Sequence, residues 1–260
     1  MGAICVFVNQ KGGVGKTTSA INIGAFLAEA GKTVLLVDFD AQGNLTSGVG
    51  VKSPSPGIYE LLSDTASVEQ VTRKTSVVNL DVIPASIDLS GAAVELIDQK
   101  ERNFFLKKAL APIKNKYDYI LIDCPPSLGQ LTMNGLAAAD FVLIPMQCEY
   151  FAMEGLKQLL HTTKLLQKNL NPSLRIGGIF FTMYDPRTRL ANDVIKHVSS
   201  IYKDMVFNTI IPRNIRLSEA PSYGMPITLY DRQCPGARAY HALAIELLQR
   251  GGSVGGTDGP

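Results

Sequence analysis

The chain has 260 residues, of which 46% are hydrophobic, and a formal net charge of only +2. This length and apolar content suit one large α/β domain, and no apolar run approaches the ~18 residues of a membrane-spanning helix. Since it has no signal-peptide pattern and its four cysteines form no C-x-x-C pair, we expect a cytoplasmic protein without a disulfide framework or a zinc site.

The first predicted elements enclose a glycine-rich loop. The apolar run at residues 4–8 predicts a β-strand, residues 18–30 have a helical pattern, and the sequence NQKGGVGKTT lies between them. Glycines let such a loop curl with its N–H groups inward, where the N-terminus of the helix adds partial positive charge. Lys16 and Thr17 are then suited to the outer phosphates and to Mg²⁺. This context favours a phosphate-binding loop over a glycine-rich turn that binds nothing.

The loop departs from the ordinary G-x-x-x-x-G-K-[ST] pattern at its start, where Gln10 takes the first glycine position and Lys11 stands beside it. In this it resembles the deviant P-loop of the ParA/MinD/nitrogenase-iron-protein group. The resemblance implies ATP and Mg²⁺ as ligands, catalytic roles for Lys11 and Lys16, and a Lys11 that reaches the nucleotide of a partner subunit in a homodimer. The nucleotide-binding residues that it implies in the loop are Lys11, Gly12, Gly13, Val14, Gly15, Lys16, Thr17 and Thr18.

The next strand, predicted at residues 33–37, ends at a pair of carboxylates, Asp38 and Asp40. A helix between two such strands forms a βαβ unit, so both carboxylates should lie at the carboxyl edge of a parallel sheet, where ligands bind. The pattern V-D-x-D-x-Q-G-N resembles the ParA/Soj group. That resemblance implies that Asp40 positions the attacking water and that Asp38 supports the Mg²⁺ shell. A purely structural role at the strand end stays open for both.

The middle of the chain ends in a second predicted strand that is followed by a carboxylate. Before it, the sequence predicts a loop at 43–56, a short helix at 58–62, a strand at 80–84 and two helices within 89–110, broken near 99–103.

A buried strand predicted at 119–122 ends at Asp123, and the prolines of the following CPPS turn cannot continue a central strand. This stretch resembles the Walker B strand of the same group. The resemblance implies that Asp123 binds Mg²⁺ through a water molecule and completes the shell begun by Thr17.

The second half alternates helices and strands, which predicts a doubly wound, mostly parallel sheet flanked by helices. Its predicted strands are 141–145, 175–182 and 206–211, and its predicted helices are 130–139, 155–170, 190–202 and 236–249. Gly177 and Gly178, inside one strand, indicate close packing or a bulge. We expect a single P-loop ATPase domain at 1–250 and a disordered, glycine-rich tail at 251–260.

Later segments also match the family, among them TMYD at 182–185 and IPRN at 211–214 with SEAPS at 218–222. The sequence IPRN at 211–214 lies where the resemblance places the adenine base, which implies base contacts from the Pro212 backbone and the Asn214 side chain. The run QCEYFAMEG, which contains Glu149 and Gly155, matches the family segment near the dimer interface.

The charge is unevenly divided. Residues 1–150 carry 12 Lys and Arg against 15 Asp and Glu, whereas residues 151–250 carry 13 against 7, a local excess of +6. Such a basic half suggests a face that binds a polyanion, although solvated surface helices would give the same composition. Our candidates for a DNA-binding face are Arg187, Arg189, Lys196, Lys203, Arg213 and, first among them, Arg216.

The resemblance covers nearly the whole chain and is closest to the chromosomal Soj-like branch of ParA. It implies an ATP-dependent DNA-partitioning ATPase whose ATP-bound homodimer binds double-stranded DNA without sequence preference on the nucleoid. A ParB/Spo0J-type centromere-binding partner would stimulate hydrolysis and release it.

Three other classes of protein also contain a phosphate-binding loop and remain as alternatives. A MinD-like membrane-cycling ATPase would end in a basic amphipathic helix, which the glycine-rich tail does not resemble. In a nitrogenase-iron-protein-like redox ATPase, cysteines would ligate a cluster, but Cys124 lies directly beside Asp123. A metabolic P-loop ligase or kinase would leave Lys11 unexplained. Because the tail does not resemble a basic amphipathic helix, we expect no membrane partner.

Overall fold

A seven-stranded sheet forms the centre of the molecule in the computed structural model, which describes residues 2–52, 54–95 and 99–251. The strand order is β3-β4-β2-β5-β1-β6-β7, and only the short edge strand β3 runs antiparallel to its neighbour. The strands are β1 Ala3–Phe7, β2 Val34–Asp38, β3 Arg73–Lys74, β4 Leu80–Ile83, β5 Tyr119–Asp123, β6 Phe141–Gln147 and β7 Arg175–Thr182.

Helices cover both faces of this sheet. The first six are α1 Lys16–Glu29, α2 Asn44–Gly48, α3 Ile58–Leu62, α4 Val68–Val71, α5 Leu89–Glu95 and α6 Phe105–Leu110. The other six are α7 Gln130–Ala138, α8 Ala152–Asn169, α9 Arg189–Tyr202, α10 Ile215–Glu219, α11 Ile227–Tyr230 and α12 Pro235–Gly251. Among the described residues, none of these helices has the length and apolar composition needed to cross a bilayer.

Alternate residues of each strand serve two separate cores. Ile4 and Val6 of β1 pack into one core with side chains from α3 to α9, while Cys5 and Phe7 pack into the other with α1, α2 and α10 to α12. Because both faces are covered, the central strands are apolar throughout, as is typical of parallel sheets. The predicted doubly wound fold is confirmed, and β1, flanked by β5 and β6, lies where the strand order reverses.

The predicted irregularity at the paired glycines is also present. The register between β6 and β7 shifts between Val142 and Leu143, because Val142 pairs with Ile176 and Leu143 with Gly178, which leaves Gly177 as the extra residue. Gly178 has φ +156°, and a Cβ at that position would lie 2.2 Å from the Phe207 ring. Only glycine lets this ring pack so closely on the strand.

One predicted strand, 206–211, was wrong. The chain there runs beside β7 and makes isolated bridges through Val206 and Pro212. The N–H groups of Asn208 and Thr209 instead donate to the Glu246 carboxylate on α12, at 2.8 and 3.0 Å. Because a side chain takes these donors, no continuous ladder can form.

The predicted loop at 43–56 was wrong over its first part, where α2 forms. Gly43 adopts φ +63° before this helix. The Thr46 N–H and hydroxyl both donate to Asp38, at 2.8 and 2.6 Å, and this ties the first turn of α2 to the end of β2.

Smaller differences concern short elements and the tail. The sequence did not indicate α4, β3, α10 or α11, each five residues or shorter. The break predicted near 99–103 is confirmed, since α5 ends at Glu95 and α6 begins at Phe105. Gly251, predicted to open a disordered tail, is the last residue of α12, and the rest of that predicted tail, 252–260, lies outside the described residues.

Candidate nucleotide-binding site

The glycine-rich loop connects the end of β1 to the start of α1 at the carboxyl edge of the sheet. Gly13 and Gly15 adopt φ +72° and +88°, a region that other L-residues rarely occupy. Two neighbouring strands hold the loop, because Thr182 donates to the Val14 carbonyl at 2.8 Å and Gln147 donates to the Gly13 carbonyl at 3.0 Å. The loop is therefore fixed in shape by its own sequence and by the ends of β6 and β7.

Lys16 is a buried cation without a carboxylate partner in the part of the chain that the structure describes. It is 7% exposed, and its ammonium donates to the Asn9 carbonyl at 3.2 Å without forming a salt bridge to any described residue. Burial lowers the pKa of Lys16, and the negative charges of Asp123 and Asp40 act in the opposite direction. A buried ammonium held only by a carbonyl is well suited to an incoming anion.

Asp38 and Asp123 form the floor of the site. They are paired in register at the ends of β2 and β5 and are 0% and 1% exposed. Burial, reinforced by the charge of Asp38, raises the pKa of Asp123 to about 8, while a hydrogen bond from Thr17 opposes this rise. Burial likewise raises the pKa of Asp38 to about 6, against the hydrogen bonds from Thr46. The negative charge of Asp38 therefore disfavours the ionised form of Asp123.

This floor fits a magnesium ion that phosphate and water would complete. Asp123 Oδ1 is buried and has no hydrogen-bond partner among the described residues, so it is available as a ligand. The described residues contain no cluster of three or more His, Cys, Asp or Glu side chains suited to a metal. Mg²⁺ binds through one or two carboxylates together with phosphates and waters, rather than in an all-protein cage. Thr17 and Asp123 would hold it, with Asp38 beside them.

Asp40 lies at the edge of this floor and is partly exposed. Its N–H donates to Asp38 at 3.3 Å, and its own carboxylate accepts from the Gln42 N–H at 3.1 Å. These two bonds fix the turn after β2. Asp40 therefore has a fixed backbone and a carboxylate that solvent can reach, as a group that orients water requires.

The second lysine of the loop, Lys11, occupies a different environment on the exposed rim. Its ammonium donates to Gln147 at 3.2 Å and forms a salt bridge with Glu149. The side chains of Lys11 and Glu149 are 48% and 54% exposed. Lys11 is thus paired with the segment between β6 and α8, in contrast to the unpaired Lys16.

A cavity of 330 Å³ opens beside the start of α1. The predicted adenine-contacting residues, Pro212 and Asn214, both line it, and Asn214 Oδ1 is buried without a hydrogen-bond partner among the described residues. Its other lining residues are Gly15, Thr18, Thr182, Met183, Ile211, Arg213, Leu217, Ser218, Pro221 and Tyr240. The structure therefore places a partly apolar cavity with an unused amide acceptor next to the phosphate loop.

Sequence reasoning missed three side chains that organise the site. Gln147 contacts the loop, Lys11 and Met183, and Thr46 holds Asp38. Thr182 holds the loop from β7. Gln147 and Thr182 could have been found, since each is a polar residue at the carboxyl end of an apolar strand.

The six predicted DNA-binding residues are all exposed but differ in their partners. Three form salt bridges: Arg187 with Asp185 at 2.6 Å, Arg189 with Asp193 at 3.8 Å, and Arg216 with Glu219 at 2.9 Å and Asp231 at 3.5 Å. Lys196 and Lys203 form no salt bridge with a described residue, and Arg213 lines the cavity. The six do not form one compact patch of free charge.

Comparison with known proteins gives consistent results along the chain. A family model described as an AAA domain matches residues 2–176. The chain is 63% identical over 252 residues to a chromosome-partitioning ATPase Soj of Treponema pallidum, covering 97% of this chain and 99% of that protein. It is 54% identical to a sporulation initiation inhibitor protein Soj of Bacillus subtilis, covering 96% of this chain and 100% of that protein.

Among solved structures, one match is to a protein named cobyrinic acid a,c-diamide synthase from Mycobacterium smegmatis, with bound ADP and magnesium. The TM-score is 0.85 at 38% identity, and the match covers 97% of this chain and 96% of that one.

Proposed function

The chain belongs to the Soj/ParA family of chromosome-partitioning ATPases, and from that premise we propose that it works as an ATP-controlled DNA-binding switch. It is a partitioning ATPase that uses ATP and Mg²⁺. In our proposal the ATP-bound chain dimerises and binds duplex DNA without sequence preference in the cytoplasm, on the nucleoid. A ParB/Spo0J-type partner then stimulates hydrolysis, which returns the protein to a form that leaves DNA.

The observation that carries the nucleotide part of the proposal is the buried, unpaired Lys16 beside two buried carboxylates. Lys16 neutralises the outer phosphates. Thr17 and Asp123 hold Mg²⁺, which offsets the negative charge of the phosphates, and Asp38 supports that shell. Asp40, fixed by the turn after β2 yet reachable by solvent, orients the attacking water.

The cavity beside α1 is suited to the base. The Pro212 backbone and the Asn214 amide offer polar atoms at the wall of a partly apolar space, and the unpartnered Asn214 Oδ1 would accept from an exocyclic amino group. An amino purine satisfies that buried acceptor, whereas a base with a carbonyl at the same place leaves it unpaired. We propose that this contact favours adenine.

The proposed role of Lys11 requires a second copy of the chain. Its pairing with Glu149 is an exposed ion pair, which contributes at most about 1 kcal/mol. Lys11 can therefore exchange Glu149 for a phosphate at small cost. We propose that this phosphate belongs to the nucleotide of the partner subunit, so that bound ATP stabilises the dimer.

The DNA part of the proposal rests on the excess of +6 in residues 151–250. Non-specific DNA binding depends mainly on neutralised phosphates, and a dimer presents twice as many cations as a monomer. Affinity for DNA should therefore rise on dimerisation. In the MinD-like alternative, the same nucleotide cycle would control attachment to a membrane surface.

DNA retention with ATP, with ADP and without nucleotide tests this proposal. We expect strong retention of a non-specific duplex only with ATP and Mg²⁺. Equal retention in all three conditions would contradict the switch. A parallel sedimentation with anionic lipid vesicles separates the alternatives, because ATP-dependent binding to vesicles but not to DNA would favour the MinD-like function.

A further inference from the structure

We propose that the exposed face of α8, defined by Lys157, Lys164 and Lys168, is a contact surface for the phosphates of duplex DNA. We call it the α8 lysine face. It includes none of the residues that the sequence indicated for DNA binding. The inference rests on the proposed function, since it assigns a DNA surface to that switch.

The pattern of α8 separates an apolar side from a cationic one. Its buried residues are Leu156, Leu159, Thr163 and Leu166, which pack on the sheet at helical spacing. The exposed residues include Lys157, His161, Lys164 and Lys168, separated by four, three and four positions. Residues at this spacing lie on one side of a helix. The three lysines therefore point to solvent in one row.

No ion pair with a residue that the structure describes compensates the charge of this row. None of the three lysines forms a salt bridge with a described residue, and the only acidic residue of α8 is Glu154 in its first turn. In residues 151–250 the same holds for all five lysines, whereas five of the eight arginines there have a salt bridge within the described chain. Uncompensated charge in the basic half is therefore concentrated on lysines, three of which share α8.

The absence of salt bridges at the three α8 lysines affects how easily a polyanion can bind, as a comparison with Arg216 shows. Arg216 contacts both Glu219 and Asp231, so a DNA phosphate would have to displace or approach two carboxylates. A phosphate that approaches the α8 lysine face meets three exposed ammonium groups that form no salt bridge with a described residue. Lysine binds phosphate as a flexible point charge, which suits contacts that do not depend on sequence.

The length of the row also suits a duplex. From Lys157 to Lys168 the helix rises about 16 Å, which corresponds to roughly five base-pair steps along B-DNA. A bilayer is a poorer fit, because the apolar side of α8 is buried in the protein core and Leu165, 49% exposed, is the one large apolar side chain exposed along the row. The face can contact charge but has little to insert.

The face lies next to the rim that holds Lys11. Helix α8 begins at Ala152, three residues after Glu149, and Lys11 also donates to Gln147, two residues before Glu149. A dimerisation that exchanges the Glu149 contact of Lys11 therefore acts at the N-terminal end of α8. The chain therefore leads directly from the Glu149 contact of Lys11 into the helix that carries the α8 lysine face.

A charge-matched pair of variants tests the inference in the full-length protein. The test variant is Lys157→Gln/Lys164→Gln/Lys168→Gln. The control is Lys52→Gln/Lys100→Gln/Lys107→Gln, which removes three exposed lysines that also lack salt bridges within the described chain. Affinity for a non-specific duplex is measured with ATP at several salt concentrations, and ATP hydrolysis and thermal unfolding report on the fold.

We expect the test variant to lose at least about tenfold in DNA affinity and to flatten the slope of log affinity against log salt by about 2.7 for each α8 in contact with DNA. The control should change affinity by less than about threefold, because the lost net charge acts only at long range. The charge-preserving variant Lys157→Arg/Lys164→Arg/Lys168→Arg should bind like the wild type. If the glutamine variant unfolds, Lys164→Gln alone should still lower the slope by about 0.9.

The outcomes separate this inference from the proposed function. A wild type that binds DNA with ATP, together with a test variant equal to the control, overturns the α8 lysine face alone. A wild type with no ATP-dependent DNA binding overturns the switch itself. ATP-dependent binding to anionic vesicles that is lost in the test variant, with DNA binding unchanged, would assign the face to a membrane and contradict the proposal.

Discussion

The floor and the rim of the nucleotide site hold two lysines of the same loop in opposite states. Lys16, which lies beside the floor formed by Asp38 and Asp123, is 7% exposed and has no carboxylate partner among the described residues. The Lys11 side chain on the rim is 48% exposed and is paired with Glu149. A buried unpaired charge gains strongly from a bound anion, but an exposed paired one gains little. In our proposal the floor therefore binds a nucleotide within one chain, and the rim exchanges Glu149 for the nucleotide of a second chain.

We expect the residues at the floor and its edge to control the rate of ATP hydrolysis as well as ATP binding. The largest expected effect is that of Asp40→Ala. Removing the group that orients water should lower the rate of ATP hydrolysis about 100-fold or more, with ATP affinity nearly unchanged. Steady-state hydrolysis and equilibrium binding of ATP measure the two quantities. If Asp40→Ala hydrolyses ATP at the wild-type rate, Asp40 does not position the water.

Lys16→Ala should weaken ATP binding by about 2–5 kcal/mol, at least ~30-fold, because the phosphates lose their buried counter-charge. Calorimetric titration with ATP and Mg²⁺ measures the loss. Lys107→Ala, a change at an exposed lysine of α6, is the control and should bind ATP normally. Wild-type affinity in Lys16→Ala would mean that the loop backbone alone holds the phosphates.

The floor carboxylates should also make stability fall as pH rises in the protein without nucleotide or metal. An unfolded aspartate titrates near 4, but the pKa of Asp123 in the folded chain is about 8. Between these values the folded state holds the extra proton, so the free energy of unfolding decreases by up to about 1.4 kcal/mol per pH unit. Asp38, with a pKa of about 6, adds to this below pH 6.

Urea unfolding of the wild type and of Asp123→Asn at pH 6 and pH 8 isolates this contribution. Asparagine cannot ionise, so the variant should lose less stability over that interval than the wild type. An equal loss in both proteins would show that Asp123 is already ionised in the folded chain at pH 6.

Glu149→Gln should give the smallest effect, because it changes only the exposed rim. Releasing Lys11 from an ion pair worth at most about 1 kcal/mol should tighten the ATP-dependent dimer by no more than about fivefold for each of its two Lys11 side chains. Asp64→Asn, at an exposed carboxylate in the turn after α3 without a salt bridge to a described residue, is the matched control. A loss of dimerisation in Glu149→Gln would instead make Glu149 part of the interface.

The floor could largely be predicted from sequence, because its signals are local. The apolar runs before Asp38 and Asp123 place both residues at strand ends, and β7 has the bounds that the pattern predicted. Glycine spacing and the adjacent Lys16 and Thr17 likewise lie within one short stretch.

The rim and the details of the fold could not be predicted, because they depend on contacts between distant residues. Lys11 and Glu149 are 138 positions apart, and Glu246 takes the donors of Asn208 and Thr209 from 38 and 37 positions away. No local pattern at 206–211 indicates that a side chain of α12 will replace a strand neighbour. The Thr46 contact with Asp38 was missed for a related reason, since the stretch was rich in turn-forming residues.

Sedimentation velocity in the presence of ATP and Mg²⁺ tests most directly whether the floor binds ATP within one chain while the rim requires a second copy. The comparison is between Asp40→Ala, in which hydrolysis is blocked, and the double variant Lys11→Ala/Asp40→Ala. Both should bind ATP with similar affinity, but only Asp40→Ala should sediment as a dimer. A double variant that binds ATP and forms the same ATP-dependent dimer would contradict the account.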